Sequence, residues 1–199
     1  MSVIMRKKEI TPNDILPLAT YATQRAAMRQ EIVRKKKNRR LEVGPCATFY
    51  FECYETMLQQ VQEMLYIEKG GADQVADELS AYNPLIPKGA ELVATVMFEI
   101  DDPVRRANVL ARLGGVEQTM FIKLGDDKVM GVPEADQERT NEEGKASSVQ
   151  FVHFPFTAAK IARFKSTGQM IVVGMDHPNY GHMSVMPEAM RAELAQDFD

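Results

Sequence analysis

Between Leu92 and Met175 the chain carries one succession twice: an apolar strand, a polar cap, a short helix, a glycine stop and a second apolar strand. In the first copy Leu92 to Ile100 leads to Asp102 as cap and Pro103 at the first helical position, then a helix to Leu113, Gly114-Gly115, and a strand from Glu117 to Leu124. In the second, Val149 to Phe154 leads to Thr157 as cap, a helix to Phe164, Gly168, and a strand from Gln169 to Met175. Asp and Thr side chains accept from the free N–H groups of a first helical turn, and a proline at its first position sacrifices no bond. The caps lie 157 − 102 = 55 residues apart. Two such β-α-β units point to the α+β class, a mixed β-sheet with helices packed mainly on one face. Internal duplication and the ordinary recurrence of such successions in α+β chains both account for the pattern.

The first half adds a helical N-terminal segment, residues 1–40, that ends in a basic block. Thr11-Pro12-Asn13-Asp14 opens a short helix over Pro12 to Leu18, and the absence of Pro and Gly from Tyr21 to about Lys37 extends a second one. Residues 41–82 read as a hairpin plus helix: strands Leu41 to Val43 and Ala47 to Phe51 flank Gly44-Pro45. From Tyr54 to Lys69, apolar Tyr54, Met57, Leu58, Val61, Met64 and Leu65 recur at three- and four-residue spacing. Gly70-Gly71 stops that helix, and Ala72 to Ser80 makes a shorter one. Asn83 to Gly89, with two prolines, is a stiff loop and no domain boundary, so residues 1–199 are one domain whose part 91–199 holds the two units and a closing helix, Pro187 to Phe198. Gly131 to Lys145 is charged and aperiodic, the best candidate for a mobile loop.

Several function classes are excluded. Apolar stretches such as Leu92 to Phe98 and Met170 to Met175 are far shorter than the roughly 20 residues of a membrane-spanning helix. Met1 to Lys8 lacks the apolar core and cleavage site of a secretory signal, so a cytoplasmic location without a membrane partner is expected. Cys46 and Cys53 are too few for a disulfide framework and read as buried small hydrophobes. No phosphate-binding glycine loop, dinucleotide fingerprint or nucleophile elbow occurs.

Three constellations could carry chemistry. Asp176-His177-Pro178-Asn179-Tyr180-Gly181-His182 follows an apolar strand and holds two of the three histidines, so Asp176, His177, Asn179, Tyr180 and His182 are candidate ligand-binding residues. Asp176, His177 and His182 are also candidate metal ligands, with His153 or Glu52 completing the shell; iron, manganese or zinc would suit such donors. His153 would approach His177 if the two repeat strands lay side by side. Local packing and turn-capping explain the same residues without a ligand. Glu52 and Glu55 stand where a solvated helix N-terminus favours acids, which explains them more simply than a pocket does. Finally, Arg34, Lys35, Lys36, Lys37, Arg39 and Arg40 place six cations in seven residues, in a chain whose net charge is −4. This block is a candidate anion site for nucleic acid, or a solvated helix end pairing with the protein's own acids.

The ordered runs Lys37-Asn38-Arg39-Arg40-Leu41-Glu42-Val43-Gly44-Pro45, Glu55 to Leu65, Tyr82-Asn83-Pro84-Leu85-Ile86-Pro87, Glu91 to Thr95, Ser148 to Phe151 and Asp176 to Tyr180 carry a resemblance. From about Ile10 to Asp197 the chain resembles bacterial domain-of-unknown-function family 3501. The resemblance implies work beside a rubrerythrin and an iron–sulfur oxidoreductase of the heterodisulfide-reductase-like type, hence peroxide or thiol redox chemistry. It transfers no catalytic residue. The leading expectation is therefore an accessory or binding protein of that redox system. A metal-dependent enzyme built on the Asp176–His182 loop and a nucleic-acid or ribosome-associated protein using Arg34 to Arg40 are the alternatives.

Overall fold

A computed structural model describes residues 6–134, 140–141, 144–166 and 168–199, and these residues form nine strands and six helices. The strands are β1 (Arg40–Val43), β2 (Ala47–Phe51), β3 (Glu91–Phe98), β4 (Met120–Leu124), β5 (Asp127–Met130), β6 (Val132–Pro133), β7 (Val149–Pro155), β8 (Ile171–His177) and β9 (Tyr180–Val185). The helices are α1 (Leu18–Lys36), α2 (Tyr54–Glu68), α3 (Ala72–Tyr82), α4 (Pro103–Leu110), α5 (Ala158–Lys165) and α6 (Glu188–Leu194).

The α+β class holds, but in place of one mixed sheet the strands form two antiparallel ones, ordered β1-β2-β3-β7-β6 and β5-β4-β8-β9. Alternation along each strand sends one set of side chains into the space between the sheets, where Phe49, Phe51, Phe154, Ile122 and Val173 are fully buried. One seam between the sheets closes where Ser184 Oγ donates to Glu42 O at 2.6 Å and Tyr180 OH donates to Val43 O at 2.9 Å. At the other the chain passes directly from β5 to β6 through Gly131, whose N–H donates to Met120 O at 2.8 Å. A Cβ there would sit 2.5 Å from Val152 Cγ1, so only glycine permits this close passage.

The two β-α-β units are structural counterparts. Each runs from the first sheet through a helix to the second, and β3 pairs with β7 as β4 pairs with β8. Met120 faces Met175 across β4 and β8, an offset of 175 − 120 = 55 that equals the spacing of the caps. An approximate two-fold axis therefore relates the units. Both caps form as expected, with Asp102 accepting from Arg105 N and Thr157 from Lys160 N. The helices close opposite ends of the strands: Gly114, just beyond α4, meets His177 at the end of β8, whereas the chain leading into α6 bonds Ile171 at its start.

Helices α1 to α3 lie outside the first sheet. The apolar stripe of α2, with Met57, Val61 and Leu65, packs with Val93, Leu85 and Ile86 in a second cluster. Its polar side is buried too, by α1: Gln62 holds both the N–H and the C=O of Leu16, Arg25 makes two bonds to Glu63 at 2.9 and 2.8 Å, and Tyr21 bridges Glu63 and Gln59. The expected helix over Pro12 to Leu18 shrinks to a single 3-10 turn, Pro12–Asp14, because Pro17 cannot donate within a helix; α1 begins immediately after it. Strands β5 and β9 were not expected. Both return through two-residue turns, Gly125-Asp126 and Pro178-Asn179, the second of which had read as loop. Of the candidate mobile loop, residues 135–139 and 142–143 lie outside the described residues.

Candidate functional site

The Asp176–His182 segment is the β8–β9 turn, and its polar groups are used up within the fold. Asn179 N–H donates to His177 Nδ1 at 3.2 Å, so the ring proton resides on Nε2, 3.2 Å from Gly114 O. His177 is thus a nearly buried linker between the turn and the chain beyond α4. Asn179 Nδ2 donates to Arg112 O at 2.9 Å. Tyr180 OH accepts from Cys46 N and Ala47 N at 3.1 and 3.0 Å while donating to Val43 O, and burial holds this phenol well above its ordinary pKa. His182 packs edge-on against the Tyr180 ring at 4.6 Å, and Asp176 points to solvent, 3.5 Å from Lys128. His153 lies in the other sheet, because the repeat strands β7 and β8 are separated between the two layers. The candidate metal set Asp176, His177, His182 and His153 is therefore not assembled. Among the described residues no group of three or more His, Cys, Asp or Glu could hold a metal ion.

His153 has partners of its own. Its Nδ1 lies 2.9 Å from Glu91 Oε2 and its Nε2 lies 2.6 Å from Glu134 Oε1, on opposite sides of the ring. The Glu91 bond raises its pKa above 6.5 against the opposing effect of burial, and Glu134 adds to the rise. This clasp ties the start of the 134–145 connection to the sheet.

The basic block divides. Arg39 is a core residue, 1% exposed. It donates to Phe51 O and Glu52 O at 3.0 and 3.1 Å, to Glu193 at 2.9 Å and to Asp197. Burial opposes its charge, but Asp197 more than offsets this, and its pKa stands above the ordinary value. Lys35 bonds Glu55 at 3.1 Å, and Arg40 pairs with Glu42 at 2.8 Å. Arg34 and Lys37 are exposed and Lys36 is half-buried. The expected six-cation surface is consequently broken at its centre. Beside Arg39, burial pushes the Cys53 thiol up to about 11, which keeps it protonated and unreactive at neutral pH.

The residue that sequence reasoning weighed only second, as a shell-completing or pocket-lining acid, is Glu52. It was expected at a solvated helix start, but it lies on the outward face of β2's continuation beneath α2, and it is 4% exposed. The reason is the antiparallel pairing of β2 with β3: it places Thr95 beside Glu52, and the first turn of α2 places Thr56 on the other side. Thr95 Oγ1 donates to Oε1 at 2.8 Å and Thr56 Oγ1 to Oε2 at 2.6 Å. Among the described residues no Lys, Arg or His lies within ion-pair distance of this carboxylate. It lines a cavity of about 280 Å³ between the first sheet and the helical layer. Met57, Leu85, Met97 and Phe151 supply apolar walls, while Gln60, Tyr82 and Lys36 supply polar groups. Tyr50, at the same wall, donates to Glu99 at 2.7 Å; burial and that carboxylate push its pKa up to about 12. A larger hollow of about 820 Å³ lies near both chain ends, but its charges satisfy one another: Arg6 pairs with Asp197 at 2.8 Å, Lys8 with Asp199, and Lys165 bonds Phe198 O at 3.1 Å. A period-2 reading from Phe51 across Glu52 would have assigned this acid to the helix-covered face; the signal was the Thr at 95 and 56, visible only with the strand pairing in hand.

The chain is similar to a family model and to a solved structure. The family model described as protein of unknown function (DUF3501) matches residues 9–198. A crystal structure at 1.90 Å, described as a novel protein of unknown function from Burkholderia pseudomallei, is 34% identical to this chain. The match covers 96% of this chain and 99% of that one, with a TM-score of 0.88. No curated protein matches.

Proposed function

The chain belongs to the DUF3501 family, and from that premise we propose that it is a small-molecule-binding accessory protein, with the Glu52 cavity as its binding site. The observation that carries this reading is a carboxylate, almost wholly buried, that lines a cleft and has no counter-cation among the described residues. Burying an ionised carboxylate costs several kcal/mol unless it is paired. Threonine hydroxyls offset part of that cost, and a ligand that donates to Glu52 would offset more. An apolar pocket with a few convergent polar groups is the usual form of a small-molecule site. The cellular setting remains the one the family resemblance implies, service to a rubrerythrin and an iron–sulfur oxidoreductase. A role as a thiol redox catalyst in its own right fits poorly with the buried, high-pKa Cys53.

A ligand-observed NMR screen of mixed small polar fragments tests the reading, run on the wild type and on Met97→Trp, which plugs the cavity's exposed wall. Fragments that bind the wild type and are lost in Met97→Trp support it. An absence of binders, or binders indifferent to Met97→Trp, rejects it.

A further inference from the structure

The same cavity is lined by two charged residues that, among the described residues, lack a counter-ion. Glu52 forms part of its wall without a cation. Lys36, from the last turn of α1, also lines it, and among the described residues its ammonium has neither an ion pair nor a hydrogen bond. The two do not reach each other, since no Lys36–Glu52 pair exists within 4.0 Å. A cleft lined by a residue bearing a carboxylate, one bearing an ammonium and the apolar side chains of Met57, Leu85 and Phe151 is complementary to a molecule with both charges and an apolar body. At about 280 Å³ the cavity falls just below the roughly 300–1,000 Å³ of pockets for drug-sized ligands, which matches something the size of a single amino acid.

We infer that the cavity receives a small zwitterion, an amino acid with an apolar side chain, whose ammonium meets Glu52 and whose carboxylate meets Lys36. The inference rests on the binding reading of this cavity. Tyr82, lining it and bonded to Gln60 at 3.5 Å, adds an aromatic surface of the kind that favours an ammonium group. The two threonines leave lone pairs on both Glu52 oxygens for further donors.

The probes are leucine, 3-methylbutylamine, 4-methylpentanoate and 4-methylpentanamide, which carry both charges, the positive one, the negative one and neither. Calorimetric titration of the full chain is expected to rank leucine first, by about tenfold over either singly charged probe, since charge-assisted bonds are worth roughly 1.5–3 kcal/mol each. Glu52→Gln should bring leucine down to the level of 4-methylpentanoate, and Lys36→Met down to that of the amine. Lys36 is half-buried at a helix end, so its variant keeps the test open if Glu52→Gln folds poorly. Leucine binding no tighter than the neutral amide, or unchanged in Lys36→Met, overturns the zwitterion. Should the amide bind and be displaced by Met97→Trp, the cavity remains a binding site and only the ligand class falls; should no fragment bind at all, the binding reading falls with it.

Discussion

Arg39→Met tests whether a cation drawn from a surface-looking basic block is a structural centre. Methionine preserves much of the aliphatic stem and removes only the guanidinium. The loss strips four bonds, to Phe51 O, Glu52 O, Glu193 and Asp197, and leaves Asp197 with Arg6 as its remaining cation. Removing one partner of a buried ion pair typically costs about 3–5 kcal/mol, because the other charge stays in the interior. With a native stability on the order of 5–15 kcal/mol, this is a large fraction of the whole. For a chain of this length each kcal/mol corresponds to about 2–4 °C in Tm, so a fall of about 6–20 °C is expected in a thermal melt followed by far-UV circular dichroism. Arg34→Met and Lys37→Met, both exposed, serve as controls and should stay within about 0.5 kcal/mol of the wild type. Adding Asp197→Leu to Arg39→Met should recover part of the loss by removing the stranded carboxylate. An Arg39→Met variant within about 1 kcal/mol of the Arg34→Met control would refute the reasoning and return Arg39 to the solvated block.

Two further outcomes are expected. Tyr180→Phe keeps the ring contacts to Phe98 and His182 but strips a hydroxyl that serves three backbone groups across the β1–β9 seam. A loss of about 2–3 kcal/mol in urea unfolding should follow, whereas a change below about 0.5 kcal/mol would mean the seam does not depend on it. For His153, the folded pKa lies above 6.5, so the clasp's contribution is complete below 6.5 and is lost as pH rises through the elevated folded value. The stability gap between wild type and His153→Gln should therefore be widest at acid pH and narrow towards alkaline pH; a gap that widens with pH would contradict the assignment.

Much of the secondary structure was legible because it rests on neighbours in sequence. The caps at Asp102 and Thr157, the stripe of α2 and the β1–β2 turn all form where side-chain chemistry and period place them. Errors arose where a local signal was read with the wrong weight: Pro17 as part of a helix, Pro178-Asn179 as a loop rather than a hairpin turn. The candidate sites fared differently. His177 and His182 looked like ligands because they are rare polar residues after an apolar strand, yet His177 bonds Asn179 N–H and Gly114 O, and His182 packs edge-on against Tyr180. Glu52 looked like an ordinary helix-start acid, and its burial depends on Thr95, which is 43 residues away in sequence.

The α+β class, the two successive β-α-β units and the family are legible along the chain, because they depend on periodicity, capping and ordered residue runs that need no partner in space. The folded arrangement was needed to see the units facing each other about an approximate two-fold, in two sheets rather than one. It alone separated Arg39 from its exposed neighbours and put Glu52 and Lys36 along one cavity without a counter-ion among the described residues. The physical reason is that burial and charge pairing are properties of what lies across the fold from a residue. Identical side chains in one basic run therefore acquire opposite roles according to which face of the core they meet.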